Sequence, residues 1–418
     1  MFKQSFLIVA IQVIGIILGL MSIYLVAGDM GPEVYSLVGV HTVVAGIILP
    51  FSHLGVETTM MREALYWMEK GEIDKVKEYT TQSIISRFIG FAILLPFIVG
   101  YLIFLCYSKY DGNYLWILLS FYVGSCASAL NDSMSLIIRA QGDFVFSQLA
   151  KTLNNNIVKF VAIIVYVKFG ATPYLYFYCL VPIPLMLIFY IKIKQYLDLS
   201  FISLKGTFQK IKDSKNLWLR SYLDYFSNSA DNLLVSILFP TSVMGLYTLY
   251  KNFENIVKQF IEGFFDVVMQ NFVKYKGNVE GLIGMEKKAN LARWGVILLV
   301  VFATIVFSTR PDYFISLANL TKYDGVKFAI YTVALVAVLY LIGKNEGNLV
   351  SLLGPSKTIL KIGVFLLFVT IATYLSVVIM PSIYGVYVQR ILFYAVMSII
   401  GIVVFKRNRI NYYSNIYK

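Results

Sequence analysis

Five ionisable residues recur along one otherwise apolar stretch of this chain: Lys251, Glu254, Lys258, Glu262 and Asp266, at intervals of 3, 4, 4 and 4 residues. On a helix, at about 100° per residue, they fall within an arc of roughly 120°, and Asn255 and Gln259 lie inside it. Charge inside a membrane helix is costly and marks a bundle interior or a watery path. A continuous polar face of this kind is therefore suited to passing a polar cargo through hydrocarbon. The spacing also pairs Glu254 with Lys258 and Lys258 with Glu262. For Glu262 and Asp266 a second reading stands, in which the helix end protrudes and both are simply solvated. The preceding stretch repeats the pattern: Arg220, Asp224, Asn228 and Asp231 recur at helical spacing, with Ser227 on the same side. Arg220 either joins that face or snorkels to the surface, while Asp224 and Asp231 lie progressively deeper. Two neighbouring helices are thus expected to offer facing polar stripes. A thinner version places Ser128, Asp132, Ser135 and Arg139 on one face, with Lys159 as the matching cation on the next helix. Asp132 either pairs with a cation across the bundle or touches cargo.

Other chemistries find no footing. The two histidines, His41 and His53, are about three turns apart and point in different directions. They read as a proton relay or, with more support, as hydrogen-bonded structural groups. Cys106, Cys126 and Cys179 lie in or beside apolar runs and are odd in number, which indicates neither a disulfide framework nor a metal site. The stretch Gly354 to Thr358, GPSKT, puts Ser356 where a phosphate-binding loop needs Gly before its Lys. An ATP-driven pump is disfavoured. Zinc-protease and serine-hydrolase motifs are absent from the sequence, and no catalytic residue, metal or cofactor is expected.

The elements that must carry these stripes are set by composition. Hydrophobic residues make up 58% of the 418, charged residues only 14%, and mean hydropathy is +0.72. A spanning helix needs roughly 20 apolar residues. Windows bounded by Gly, Pro and charge give twelve: 4–27, 34–56, 81–105, 114–138, 152–168, 173–193, 217–239, 242–270, 291–308, 326–345, 357–380 and 383–405. The first is longer than a usual signal-peptide core and is read as a retained helix. The expected fold is all-α and polytopic, with too little left over for a soluble catalytic domain. The net charge of +13 is not a nucleic-acid footprint, because the basic residues sit between apolar segments. Of the 36 Lys and Arg, those in connections fall almost entirely on the side shared by both termini, which predicts cytoplasmic termini. The longest basic connection divides the chain into halves 1–195 and 217–418, joined by linker 196–216. Six spans each would make two parallel-topology repeats. MGPEVYSL (Met30 to Leu37) and VMGLYTL (Val243 to Leu249) give a faint echo of that repeat.

Three stretches then carry a resemblance. SADNLLVSILFPTSVMGLYTLYKNFENIVKQFIEGFFDVVMQNF (Ser229 to Phe272), FSHLGVETTMMREA (Phe51 to Ala64) and IIRAQGDFVFSQLAKTLNNNIVKF (Ile137 to Phe160) occur in the order and spacing of the polysaccharide flippases. The chain resembles the O-antigen repeat-unit translocases of the multidrug/oligosaccharidyl-lipid/polysaccharide exporter superfamily. The resemblance implies two six-helix bundles around a central cavity open alternately to each side of a bacterial inner membrane. The implied cargo is an undecaprenyl-pyrophosphate-linked oligosaccharide, with H⁺ or Na⁺ as coupling ion. Implied partners are membrane lipids, a polysaccharide polymerase and a chain-length regulator. The candidate pathway residues are Asp224, Asn228, Asp231, Lys251, Glu254, Lys258, Asp132, Arg139 and Lys159. A multidrug exporter of the same superfamily is the runner-up, since architecture does not separate the two. A membrane glycosyltransferase or polymerase is a third reading, weakened by the short outer connection at about Thr309 to Gly325.

Overall fold

The computed structural model describes residues 13–140, 146–147, 158–274, 279–353 and 356–414. Among the described residues there are helices and turns but no strand. Helix α1 (13–30) and helix α2 (32–52) form one run, Val13–Ser52, that includes a π-helical turn at Ile23–Ala27. Gly31 adopts φ 74°, a conformation costly for residues with a Cβ, and Pro32 removes the next backbone donor. The kink therefore sits in the connection expected between the first two spans. Then follow α3 (Val56–Glu69), α4 (Ile73–Lys109), α5 (Leu115–Ala140), α6 (Val158–Phe169), α7 (Ala171–Leu180) and α8 (Pro182–Ile193). After them come α9 (Leu204–Asp213), α10 (Lys215–Asn228), α11 (Ala230–Leu238) and α12 (Thr241–Lys274). The chain closes with α13 (Val279–Thr309), α14 (Pro311–Leu317), α15 (Val326–Leu353), α16 (Ser356–Thr373), α17 (Leu375–Ile379) and α18 (Ile383–Ser414).

The described part of each of the twelve expected spans falls on helix or the short breaks between helices. Among the described residues seven helical runs are long and apolar enough to cross a membrane by length and composition alone, the first of them being the kinked α1 and α2 together. The fourth, seventh and eighth spans are polar for their length, and α6 has 12 residues. Trp116 and Phe97 are 74% and 73% exposed and are accompanied by many outward Leu, Ile, Val and Phe side chains. Surfaces so apolar need lipid rather than water against them. The chain is an all-α, multi-pass membrane protein.

Two compact units are present. One is Ile17–Val26 with Met30–Gly245, and the other is built on the chain from Leu246 onward with Ala27–Asp29. The seventh span, α10 and α11, joins the earlier unit, which therefore extends beyond the basic connection at 196–216. Side-chain packing accounts for this. Phe51 meets the rings of Tyr222 and Tyr225 edge-on at 4.1 and 5.1 Å, and Trp218 Nε1 donates to the Phe51 carbonyl at 3.4 Å. Tyr101 and Ser236 share a 2.7 Å hydrogen bond. The connection itself is folded. Ser203 caps α9 by accepting from Gly206 N at 3.0 Å, and Lys210 pairs with Glu78 at 3.0 Å.

Close helix approach rests on glycine in each unit. A Cβ on Gly124 of α5 would lie 2.0 Å from the Cys179 carbonyl oxygen of α7, and one on Gly343 of α15 would lie 2.5 Å from Ser398 Cα of α18. Small residues at such contacts let membrane helices gain van der Waals packing. Gly124→Ala and Gly343→Ala are each expected to lower stability by about 1–3 kcal/mol. Gly100→Ala, which meets nothing within 4 Å, is expected to leave it unchanged or slightly raised. Thermal unfolding of the purified variants in one detergent checks the contrast.

Candidate functional site

Helix α12 carries the first predicted stripe as one continuous helix, and its centre is an ion cluster. Glu254 is 2% exposed. Its Oε1 lies 2.5 Å from Lys258 Nζ, the pairing expected from i,i+4 spacing. The same oxygen lies 2.5 Å from Nη2 of Arg390 on α18. Lys251 Nζ sits farther off, 3.6 Å from Oε2. Tyr394, one turn beyond Arg390, accepts from Arg390 Nη2 at 2.9 Å and from Lys258 Nζ, and donates to Glu254 Oε1 at 3.1 Å. Arg390 is 0% exposed. Three cations thus converge on one carboxylate, and the described side chains of the cluster carry a positive excess. Tyrosines border it: Tyr340 packs on Tyr394 at 5.8 Å, and Tyr247 stacks on Tyr250, which touches Tyr387.

Arg390 belongs to none of the stripes read from the sequence. Its signal there is a Gln389–Arg390 pair inside GVYVQRILFY, too isolated to form a stripe. The side chains of Glu262 and Asp266 lie outside the described residues, so the expected Lys258–Glu262 pair and the solvated-end reading concern positions about which nothing further is stated.

The unit containing Met30–Gly245 holds a second buried ion pair. Arg87 of α4 places Nη2 2.8 Å and Nε 2.9 Å from Glu57 Oε2 on α3. Nε also donates to Ser133 Oγ on α5 at 2.7 Å. Nη1 donates to the Leu49 carbonyl and to Ser52 Oγ on α2, both at 2.6 Å. Ser133 Oγ completes the ring by donating to Glu57 Oε2 at 2.7 Å. Four helices are tied by one guanidinium, with one charge of each sign. Sequence reasoning missed this clamp because its members are single polar residues on four different helices. On α5 the expected stripe was Ser128, Asp132, Ser135 and Arg139, yet Ser133 makes the contact. Ser135 turns instead to Ser147, at 3.1 Å.

Asp132 is half-buried on α5. Asp231 is buried, with Oδ1 accepting from Asn232 N at 2.9 Å. It does not continue the line of Asp224 and Asn228 along one helix, because the seventh span breaks at Ser229 (φ −135°, ψ −10°). The Ser229 amide closes α10 on the Tyr225 carbonyl at 2.8 Å, and its carbonyl takes the Asn232 amide at 3.1 Å. Polar Asn228 and Ser229 are residue types that favour such local turns over helix. Asp231 therefore stands in the first turn of α11, where the helix dipole favours a carboxylate. Asp224 and Asn228 lie on α10, Arg139 on α5 and Lys159 on α6, their side chains outside the description. Gly354 and Pro355 of GPSKT and most of the stretch from Ile137 to Phe160 also lie outside the described residues, while Ser356 to Thr358 open α16.

His41 packs edge-on between Phe121 and Tyr178 at 5.3 and 5.2 Å. His53 Nδ1 accepts from Gly55 N at 2.9 Å in the turn before α3. Both serve packing and turn geometry. All three cysteines are free thiols, and among the described residues no three His, Cys, Asp or Glu side chains could hold a metal. The clamp and the unbalanced cluster predict different mutational behaviour. Arg87→Leu alone strands Glu57 and is expected to cost on the order of 3–5 kcal/mol, while Arg87→Leu with Glu57→Leu recovers most of that. Melting temperatures of the two purified variants check the cycle.

Models of known protein families give no match to the chain, and no curated protein matches it. Solved structures do. An inward-facing multidrug resistance MATE family transporter of the MOP superfamily aligns with TM-score 0.68 at 16% identity, covering 99% of both chains. A mutant of the Vibrio cholerae MATE transporter VcmN aligns with TM-score 0.68 at 16% identity, covering 98% of both. A MATE protein in its straight conformation gives 0.66 at 18%, over 99% of this chain and 97% of that one. The chain therefore has, from end to end, the fold of MATE transporters of the MOP superfamily.

Proposed function

We propose that the protein is a flippase that moves an undecaprenyl-pyrophosphate-linked oligosaccharide, an O-antigen or capsule repeat unit, between leaflets of a bacterial inner membrane by alternating access. The carrying observation is the convergence of Lys251, Lys258 and Arg390 on the carboxylate of Glu254. Charged donors gathered within spanning helices mark a functional position, and donors of this kind make strong charge-assisted hydrogen bonds to a pyrophosphate. The bordering tyrosines offer flat, amphipathic faces of the kind that stack on sugar rings. Asp231, at the break in the seventh span, is in the setting that discontinuous membrane helices create for ions and polar cargo. It is the candidate for proton or Na⁺ coupling. In this reading the two compact units, the earlier of which includes the seventh span, are the moving bundles, 196–216 is a cytoplasmic segment, and a polymerase and chain-length regulator act on the delivered unit.

A second reading, a multidrug exporter, is favoured by one observation: a solved structure of like fold is that of a multidrug resistance transporter. Cargo charge separates the two. Efflux of cationic dyes by purified protein in liposomes, with no effect of lipid-linked glycan, would establish the exporter.

A deletion strain is expected to lack surface glycan and to accumulate undecaprenyl-linked repeat units on the cytoplasmic side. Normal surface glycan in that strain rules the flippase out. Complementation with Lys251→Ala or Asp231→Asn is expected to reduce export at least about tenfold at equal protein abundance, the scale of one lost charge-assisted hydrogen bond. Wild-type export by both variants would place the pathway elsewhere. A fluorescent protein fused after Lys418 is expected to fluoresce, as a cytoplasmic terminus requires.

A further inference from the structure

The unit from Leu246 onward contains a second charged feature, away from Glu254, at the ends of α13, α15 and α18 that lie on the side of residue 414. These ends enclose a cavity of about 340 Å³. One wall is ionic. Arg293 Nη1 donates to both oxygens of Glu346, at 3.0 and 2.7 Å, and to the Ile342 carbonyl at 2.8 Å. Arg409 Nη2 pairs with Glu286 at 2.7 Å. Lys406 also lines the cavity, so among the described lining side chains three cations face two carboxylates. Arg293 is itself 9% exposed, and its Nε makes no hydrogen bond among the described residues. The opposite wall is apolar, with Trp294, Ile297 and Phe405. Trp294 is largely exposed, and Leu291 and Leu298 continue the apolar surface outward from it.

Such a gradient, from surplus cation at a helix end to tryptophan and leucine a turn or two deeper, follows the gradient of a membrane's own headgroup region. We infer that this cavity is a binding site for one anionic glycerophospholipid. Its phosphate lies between Lys406, Arg409 and the guanidinium edge of Arg293, and its glycerol and acyl chain lie along Trp294. A neutral lipid would bring no counter-charge to the site, and a zwitterionic one would bring its phosphate together with a further cation. A free phosphate would leave the apolar wall unused. The occupant resides in the leaflet on the side of residue 414, and the site stands whether the transported cargo is a glycan-lipid or a drug.

Native mass spectrometry of the purified full chain, released from micelles doped with phosphatidylglycerol or phosphatidylcholine, tests the assignment. One phosphatidylglycerol is expected to be retained in clear preference to phosphatidylcholine. Lys406→Gln with Arg409→Gln, both exposed enough to leave folding intact, is expected to weaken retention at least about tenfold. Trp294→Ala is expected to weaken both lipids. The control Lys205→Gln with Lys212→Gln, on α9, is expected to retain phosphatidylglycerol as the wild type does. Equal retention of the two lipids, or full retention by the Lys406/Arg409 variant, overturns the proposal. Inorganic phosphate that displaces phosphatidylglycerol at millimolar concentration would assign the cavity to a free anion and overturn it equally.

Discussion

A guanidinium in hydrocarbon must be met by acceptors from the protein, and two arginines organise the units of this chain under that constraint. Arg87 directs its donors to Glu57, Ser133, Ser52 and the Leu49 carbonyl. Arg390 reaches Glu254 and Tyr394. In each case a glutamate comes from another helix and a hydroxyl joins guanidinium to carboxylate, Ser133 in one and Tyr394 in the other. Breaking such a pair leaves an uncompensated buried charge, whereas keeping it contributes little net stability over an apolar core. Its effect is to fix which helices meet and in what register.

The difference between the two clusters lies in charge balance. Around Arg87 one cation meets one carboxylate, four helices are held, and little remains to bind anything else. Around Glu254 the carboxylate is shared by Arg390, Lys258 and Lys251, the last at 3.6 Å. The convergence of several cations on one carboxylate therefore separates a candidate site from a clamp where burial alone, nearly complete in both, does not.

Much of the architecture was legible in the sequence because a lipid-spanning helix announces itself by length and apolarity. The described parts of all twelve expected segments are helical, and the kink between the first two falls at the Gly31–Pro32 pair that bounded the windows. The stripe on α12 was legible too, since 3.6-residue periodicity brings Lys251, Glu254 and Lys258 together on any helix. Contacts between helices were not. Arg390, Glu57 and Arg87 belong to no charged stripe, and no local period predicts which distant residue answers them. The break at Ser229 was missed for a related reason: hydropathy windows average over a turn of backbone. Asp231 was read as the end of a stripe and instead opens a helix. The assignment of the seventh span to the earlier unit depends on Phe51, Tyr101 and their distant partners, which again leave no periodic trace.

The mixed sign of the α12 cluster is informative for a carrier of anionic cargo. At a separation of 4 Å, one charge pair near a protein surface is worth about 4 kcal/mol, so an array of bare cations would hold a pyrophosphate too well to release it. A carboxylate within the same cluster competes for the same donors. Glu254 and a bound anion would share Lys258, Lys251 and Arg390, and capture of cargo would loosen the internal pairs it replaces. Release then restores them. Lys251 stands 3.6 Å from Glu254, while Arg390, bonded to both Glu254 and Tyr394, ties α18 to α12. On this argument the carboxylate does not weaken the case for an anionic cargo. For the proposed pyrophosphate cargo, it would set an affinity low enough for release.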